Sequence, residues 1–176
     1  MDEVERPDRI ALDLDPGEGK GFGEVKDAAL KLRDLLLALG LRSFPLLSGG
    51  KGVHVVVPLA AEAEWPQVRE FTRRICTVLA EAEPERFTVG LPKAERQGRI
   101  FLDFLRNQRS ATAILPWSLR ARPGAPVAAP VTWEELPGLE RASHFGIEDR
   151  GLLLRRARSR ALRGWGRGGQ SLPRLA

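Results

Sequence analysis

Three aspartates have the residue type and the placement to bind a divalent cation. Asp13 and Asp15 lie two residues apart at the end of a short apolar segment, and side chains at that spacing on a strand project from the same face. Two carboxylates held so close repel each other unless a positive charge lies between them, and hard divalent cations bind several carboxylate oxygens at once. Asp103 lies in the otherwise apolar segment 100–105, where an unpaired carboxylate would be costly to bury.

The chemistry that such a cluster supports is phosphoryl or nucleotidyl transfer. If the strand carrying Asp103 lies beside the strand carrying Asp13, three carboxylates can hold two metal ions about 4 Å apart and catalyse an in-line displacement. The pair of aspartates alone leaves a plainer interpretation open, in which Asp15 precedes Pro16 and ends a strand at a turn. A phosphohydrolase of the haloacid-dehalogenase type also ends an apolar strand with two aspartates, but it would not explain the glycine-rich segment 48–54.

That glycine-rich segment carries groups that suit a nucleoside triphosphate. Gly49 and Gly50 allow the backbone to approach a ligand and to point N–H groups at an anion. Ser48 adds a hydroxyl, Lys51 a positive charge and His54 a further donor. The spacing is not that of a Walker loop, and a strand rather than a helix is predicted to follow. The alternative is a tight hairpin in which Lys51 is solvated and His54 is packed.

A series of cationic side chains follows the loop in sequence. Arg106 lies three residues after Asp103, and the planar fork of arginine suits phosphate oxygens. Taken one by one, these residues could equally form weak surface ion pairs. The series consists of Lys93, Arg96, Arg99, Arg106, Arg109, Arg120 and Arg122.

The elements that position these residues are predicted from hydrophobic periodicity and turn residues. The predicted strands are Arg9–Leu14, Ser43–Leu47, Val53–Leu59 and Arg99–Leu105, and the predicted helices are Glu24–Leu39 and Trp65–Ala82. The predicted features further along are a strand at Ala113–Trp117, an extended segment at Pro123–Pro130, a helix N-cap at Thr132, a last helix over Ile147–Arg163 and a loose Gly/Arg tail. This order predicts an α/β (α+β) fold, a mixed sheet with helices packed on it.

Composition narrows the class of protein. The chain of 176 residues fits one domain, and no apolar run is long enough for a membrane span. Cys76 is the single cysteine, which excludes an intrachain disulfide and, with an N-terminus unlike a secretory signal, favours the cytoplasm. Residues 141–176 carry nine arginines against two acidic residues, which favours an anionic partner such as nucleic acid or, alternatively, a solvated tail.

Three segments together carry a resemblance to a known family. They are IALDLDPGEG at 10–19, LLSGGKGVHVVVPL at 46–59, and a third beginning KAERQGRIFLDFLRN at 93. In this order, from Ile10 to Leu136, the sequence resembles the polymerase domain of bacterial ATP-dependent DNA ligase D, within the archaeo-eukaryotic primase superfamily. The resemblance implies an RRM-like primase catalytic core.

The resemblance also implies roles for individual residues. Asp13, Asp15 and Asp103 would be the metal-binding catalytic residues, with Mn²⁺ or Mg²⁺ as the cofactor. The incoming NTP or dNTP would be held by Ser48, Gly49, Gly50, Lys51, His54, Arg96, Arg106 and Arg120. The reaction would add nucleotides, preferably ribonucleotides, to a DNA 3′-OH at a gapped or overhanging end, in concert with an ATP-dependent ligase and a Ku-type end-binding protein.

Composition, periodicity and the resemblance together predict how the chain is divided. Residues 1–8 would be disordered, residues 9–140 would form a primase-polymerase core that is partial relative to the family, and residues 141–176 would form a C-terminal helix and an Arg/Gly-rich tail. Leu46 and Leu47 stand where the family usually has Lys-Thr before the Ser-Gly-Gly motif. These departures leave a second hypothesis open, a catalytically impaired nucleotide- or DNA-binding remnant of such a domain.

Overall fold

A single mixed sheet with helices on one side organises the protein. The computed structural model describes residues 3–173. Its strands are β1 (Arg9–Pro16), β2 (Phe44–Leu47), β3 (Val53–Pro58), β4 (Phe87–Thr88), β5 (Ile100–Asp103) and β6 (Ala129–Pro130). Its α-helices are α1 (Phe22–Ala38), α2 (Trp65–Ala82) and α3 (Arg150–Ala157). Within residues 3–173, no helix combines the length and apolarity needed to traverse a bilayer. The predicted fold class is confirmed.

Strand β1 lies inside the sheet and pairs on both of its edges. The strand order is β4-β5-β1-β3-β2-β6. β1 runs antiparallel to β3 on one side and to β5 on the other, while β4 and β5 run parallel. Residues from β3 and β5 therefore flank Asp13 and Leu14 on both sides.

Alternation along β1 separates an apolar face from a polar face. Leu12 and Leu14 are almost fully buried in one cluster with residues of α1 and α2. Asp13 and Asp15 project from the opposite face, which these two helices leave open. Each fully buried aliphatic side chain in the cluster contributes roughly 1.5–3 kcal/mol by leaving water, so the helices fix the sheet without covering the aspartates.

The two long helices form where their apolar spacing predicts them. α1 buries Val25, Leu32 and Leu36 along one face, and Gly40 follows it with a φ of 78°, a left-handed conformation that glycine adopts without strain. α2 has the predicted bounds, and the Gln67 side chain accepts a hydrogen bond from the Glu64 N–H at its start. These helix ends and apolar faces depend only on residues close together in sequence, which is why the sequence predicts them.

The segment predicted as a strand at Ala113–Trp117 does not form one. Pro116 cannot donate a ladder hydrogen bond, and Trp117 has a φ of 69°, outside the range of strands. The segment instead attaches to the sheet through the Trp117 N–H, which donates to the Ala128 carbonyl at 2.7 Å.

The C-terminal predictions are partly wrong. The last helix consists of a 3₁₀ turn at Ile147–Asp149 and the short α3. It stops before Arg163 because the chain turns again, with the Leu162 N–H donating to Ser159 Oγ and Leu162 buried. The tail predicted to be loose is held at Trp165, whose indole N–H donates to the Pro45 and Val131 carbonyls.

Two shorter predictions have different outcomes. Thr132 forms the predicted cap: its hydroxyl accepts from the Glu135 N–H, and the Glu135 carboxylate accepts from the Thr132 N–H. Residues 3–8, which were predicted to be disordered, form a turn in which the Val4 carbonyl accepts from the Trp65 indole. Residues 1 and 2 of that predicted segment lie outside the described residues.

Candidate active site

The sheet register places the predicted acidic residues side by side. Asp13 on β1 lies directly opposite Asp103 on β5 and directly opposite His54 on β3. Residues opposite each other in an antiparallel pair share a face, with Cα atoms about 4.5–5.5 Å apart. Asp15 follows on the same face, opposite Phe101. Asp13 and Asp103 keep only 6% and 8% of their surface exposed, so both carboxylates are largely desolvated.

Arg106 and His54 lie against the carboxylates of this cluster. The Arg106 guanidinium lies 3.4 Å from Asp13 Oδ2 and 3.2 Å from Asp103 Oδ2, and His54 Nε2 lies 3.2 Å from Asp13 Oδ1. Burial raises the pKa of Asp13, but His54 and Arg106 outweigh burial and leave that pKa below its ordinary value. Asp13 is therefore held as a carboxylate.

The pKa of Asp15 is shifted in the opposite direction from that of Asp13. Burial and the neighbouring Asp13 charge raise the pKa of Asp15 above its ordinary value. One additional cation between Asp13 and Asp15 would remove the repulsion that produces this shift. The pair is thus arranged to gain from a bound metal ion.

The oxygen donors of this cluster suit a hard divalent cation, but they do not converge on a single point. Carboxylate oxygens are the ligands that Mg²⁺ and Mn²⁺ prefer, and Asp13 Oδ1 is buried without a hydrogen-bond partner within the described residues. In residues 3–173 no three His, Cys, Asp or Glu side chains already converge as a metal cage. The Arg106 guanidinium contacts both Asp13 and Asp103, so it would have to move before these two carboxylates could share an ion.

The glycine-rich segment forms the predicted hairpin between β2 and β3. The Ser48 N–H donates to the Gly52 carbonyl at 3.2 Å, and the Gly50 N–H donates to Ser48 Oγ at 3.2 Å. Gly49 has a φ of 67°, and a Cβ there would lie 2.8 Å from Arg120 Cγ. Its N–H donates to the Ala142 carbonyl, so Gly49 shapes the loop and its own amide is already used.

Gly52 brings the loop into contact with the end of β1. A Cβ at this position would overlap the Leu14 carbonyl and would lie 3.1 Å from Asp15 Oδ1.

We expect Gly52→Ala to lower the free energy of unfolding by about 2 kcal/mol, because the overlap is with backbone that cannot swing away. Urea denaturation measures the change. Gly50→Ala is the matched control, since its Cβ would meet nothing closer than 3.4 Å; equal effects of the two substitutions would contradict the contact.

A cavity of about 620 Å³ opens over the carboxylates. Eight of its lining residues are predicted site residues: Asp13, Asp15, Ser48, Gly50, Lys51, His54, Arg106 and Arg120. The others are Thr112, Ala113, Ile114 and Arg122. The lining thus combines two carboxylates with four cationic side chains, Lys51, Arg106, Arg120 and Arg122, which is the mixture of charges that a metal-bound polyphosphate requires.

Comparison with known proteins identifies the family. The sequence profile described as "LigD, primase-polymerase domain" matches residues 1–160, which is most of the chain. The chain belongs to the LigD primase-polymerase family. The resemblance drawn from the three motifs is confirmed.

Individual relatives agree with this family. The "Multifunctional non-homologous end joining protein LigD" of Pseudomonas aeruginosa is 42% identical over 82% of this chain, and the "Bifunctional non-homologous end joining protein LigD" of Bacillus subtilis is 37% identical over 81% of it. The solved "Polymerase Domain from Mycobacterium tuberculosis Ligase D in complex with DNA" matches 88% of this chain with a TM-score of 0.79 and 36% identity. The chain spans 17% and 24% of the two LigD proteins and 53% of the solved chain.

Two predicted site residues besides Gly49 do not line the cavity of this LigD primase-polymerase domain. Asp103 is buried, and its Oδ1 accepts from the Leu105 N–H at 2.8 Å. Arg96 donates to the carbonyls of Gly90 and Leu91, and its guanidinium lies 3.7 Å from the centroid of the Phe101 ring. Arg96 thus packs on Phe101, the residue opposite Asp15 in the sheet, and two of its guanidinium nitrogens are already used by backbone carbonyls.

Asn107 is a positioning residue that the sequence analysis missed. It is 2% exposed, and its amide both accepts from the Ala11 N–H and donates to the Ala11 carbonyl, each at 2.8 Å. The side chain therefore continues the pairing of β1 where β5 has ended, and it fixes the turn that carries Arg106. An asparagine in the turn after a strand could have signalled such a bridge, but its partner is 96 residues away.

Proposed function

We propose that this LigD primase-polymerase chain is a metal-dependent nucleotidyltransferase that adds nucleotides, preferably ribonucleotides, to a DNA 3′-OH during end joining. The observation that carries the proposal is the register of β1, which sets Asp13 opposite both Asp103 and His54, on the face that opens into the cavity. The family to which the chain belongs includes end-joining proteins of the LigD type, and the solved relative is in complex with DNA.

The carboxylates would hold the cofactor. Held by Asp13, Asp15 and Asp103, Mn²⁺ or Mg²⁺ would acidify the attacking 3′-OH and neutralise the oxygens of the leaving pyrophosphate. His54 Nε2 lies 3.2 Å from Asp13 Oδ1 and would help to orient that carboxylate toward the ion. Arg106, released from between the two aspartates, would be free to reach a phosphate oxygen in the same cavity.

The cationic side chains that line the cavity would hold the nucleotide. Lys51, Arg120 and Arg122 line the cavity together with the loop residues Ser48 and Gly50. Within the described residues, no hydrogen bond or ion pair occupies the charged ends of these three cationic side chains. Fixed positive groups around a triphosphate position it in line and stabilise charge on the leaving group, which is most of what a protein contributes to phosphoryl transfer.

Primer extension tests the proposal. The substrate is a duplex with a short gap, supplied with labelled ribonucleotides or deoxynucleotides and with Mn²⁺, Mg²⁺ or chelator. We expect template-directed addition with either metal, faster addition of ribonucleotides, and none with chelator. A chain that binds the gapped duplex but adds no nucleotide with either metal would contradict the enzyme and favour the impaired remnant.

Lys51→Ala is expected to raise the KM for the nucleotide about tenfold and to change kcat less. Lys51 is exposed at the mouth of the cavity, and one charge-assisted hydrogen bond to phosphate is worth roughly 1.5–3 kcal/mol. Steady-state primer extension over a range of nucleotide concentrations measures both constants. Lys31→Ala is the control, because Lys31 pairs with Glu83 on the helical side; a KM unchanged by Lys51→Ala would remove Lys51 from the site.

The partners and the location complete the proposal. A DNA end is the substrate, and an ATP-dependent ligase that seals the filled gap and a Ku-type protein that holds the ends are the proposed partners in the cytoplasm. Cys76 is fully buried, and burial raises its thiol pKa, so this thiol has no part in the chemistry.

A further inference from the structure

A second cationic surface lies at the edge of the sheet beside β6. It is a groove of about 270 Å³ whose lining includes Trp117, Arg158, Arg163, Trp165 and Arg167. We call these five residues the Arg/Trp groove. Four of its members come from residues 158–167, the part of the chain where arginine is concentrated.

The arginines of the groove are free to bind a ligand. Arg156, on the preceding helix, is used structurally: it forms two hydrogen bonds to Glu135 at 2.8 and 2.9 Å and stacks near Phe145. By contrast, Arg158, Arg163 and Arg167 are exposed, and no residue within 3–173 forms a hydrogen bond or ion pair with their side chains. Three unpaired guanidinium groups around one groove attract an anion with several charges.

Trp117 gives the groove an aromatic face. The ring is 37% exposed, although a large apolar side chain would gain by burial. Its backbone has a φ of 69°, which is strained for a bulky residue. The Trp117 N–H donates to the Ala128 carbonyl at 2.7 Å, and the Ala128 N–H donates to the Ser118 carbonyl at 2.8 Å, so the segment is held in this conformation. Backbone hydrogen bonds to Ala128 thus fix the segment that carries this exposed ring.

The segment that carries the arginines is fixed in place. Trp165 donates to carbonyls of the sheet and packs with Ile114 on Leu46, Val56 and Ala128. Ile114 also lines the cavity over the carboxylates. The groove and the cavity therefore lie on one face of the sheet, on either side of the same apolar cluster.

We propose that the Arg/Trp groove binds single-stranded DNA. Unpaired arginines that contact the phosphates, beside an exposed aromatic ring on which a base stacks, are the combination used for single strands without sequence preference. An acidic polypeptide would use the arginines but would gain nothing from the ring. This surface lies outside the carboxylate and nucleotide site, and its binding does not require catalysis.

The distance between the two surfaces suits one continuous strand. β6 lies three strand positions from β1, which is about 14 Å at the usual strand spacing. A stacked strand covers that distance in about four nucleotides at 3.4 Å each. Given the proposed function, a strand whose 3′ end lies at Asp13 would reach the groove once its overhang exceeds about four nucleotides.

Fluorescence anisotropy with a labelled 12-nucleotide oligothymidylate, in chelator and without nucleotide, tests the groove. We expect Arg158→Gln/Arg163→Gln to raise Kd at least tenfold and to reduce the slope of log affinity against log salt by about 1.4, since each neutralised phosphate contact accounts for about 0.7. Trp117→Ala is expected to raise Kd about tenfold with an unchanged slope, and Trp117→Phe to restore most of the affinity.

The matched control is Arg69→Gln/Arg73→Gln, which removes two exposed arginines from α2 on the other side of the sheet. We expect it to change Kd less than twofold, with equal Tm values showing that all variants fold. Equal losses in the two double variants, or equal competition by polyglutamate and by oligothymidylate, would overturn the proposal. Binding that depends on the groove in a chain unable to extend primers would contradict the proposed function alone, whereas extension without that dependence would contradict the groove alone.

Discussion

Asp13→Asn is expected to lower the rate of nucleotide addition about 10³-fold and to leave the fold intact. The substitution keeps the shape of the side chain but removes the charge that β1 holds between Asp103 and His54. Loss of a central carboxylate from a two-metal site removes several kcal/mol of transition-state stabilisation, and about 4 kcal/mol corresponds to 10³ in rate. Single-turnover primer extension at saturating metal and nucleotide measures the chemical step.

The control for this prediction is Asp27→Asn. Asp27 is exposed on α1, so the same change of charge on the helical side should alter the rate less than twofold. Circular dichroism and thermal unfolding establish that both variants are folded. A folded Asp13→Asn protein that retains more than a tenth of the wild-type rate would contradict a catalytic role for this carboxylate.

Asn107→Ala has the largest expected effect on stability. The side chain satisfies both the N–H and the carbonyl of Ala11 and also donates to the Phe104 carbonyl at 2.9 Å. Its removal leaves buried backbone groups without partners, at about 1–3 kcal/mol each, so we expect the free energy of unfolding to fall by about 3 kcal/mol. Urea denaturation with an unchanged m-value measures it.

Gln108→Ala is the neighbouring control, because Gln108 is only half-buried and its side chain makes no hydrogen bond within the described residues. A loss below about 0.5 kcal/mol is ordinary for such a position. If Asn107→Ala were no more destabilising than Gln108→Ala, the amide would not be bridging β1 to the turn that carries Arg106.

Much of the scaffold was predictable because its signals are local. The apolar spacing of α2 and its proline near the N-terminus define a helix without reference to other elements. The alternation around Asp13 and the glycines at 49–52 likewise indicate a strand and a hairpin. From the sequence, Asp13 and Asp103 could be predicted to meet only if β5 lies beside β1. That pairing is a contact between residues far apart in sequence, and no local pattern predicts it.

The rest depended on contacts that leave no local pattern. β4 and β6 are two residues long, too short for periodicity to show. Arg96 resembles a phosphate-binding residue in sequence, but its guanidinium is engaged by the Gly90 and Leu91 carbonyls. The tail appears loose by composition, yet Trp165 and Gln170 hold it through hydrogen bonds to residues more than thirty positions away. In each case, tertiary partners override the local tendency.

The electrostatics of the site follow from the same long-range contacts. Asp13 has a lowered pKa because His54 and Arg106 outweigh its burial, whereas Asp15 has a raised pKa because burial and Asp13 act together. Arg106 occupies the space between Asp13 and Asp103, so a metal ion must compete with an internal cation. Metal and nucleotide are therefore expected to bind cooperatively, with the triphosphate drawing Arg106 away from the carboxylates.

Anomalous diffraction at the manganese edge, from crystals soaked with Mn²⁺ and a nucleoside triphosphate, tests the central claim most directly. We predict a peak bound by Asp13 and Asp15 with Asp103 adjacent, phosphate density against Lys51 and Arg120, and a changed Arg106 rotamer. Manganese and triphosphate bound together elsewhere on the protein, with Arg106 still lying between Asp13 and Asp103, would contradict the account.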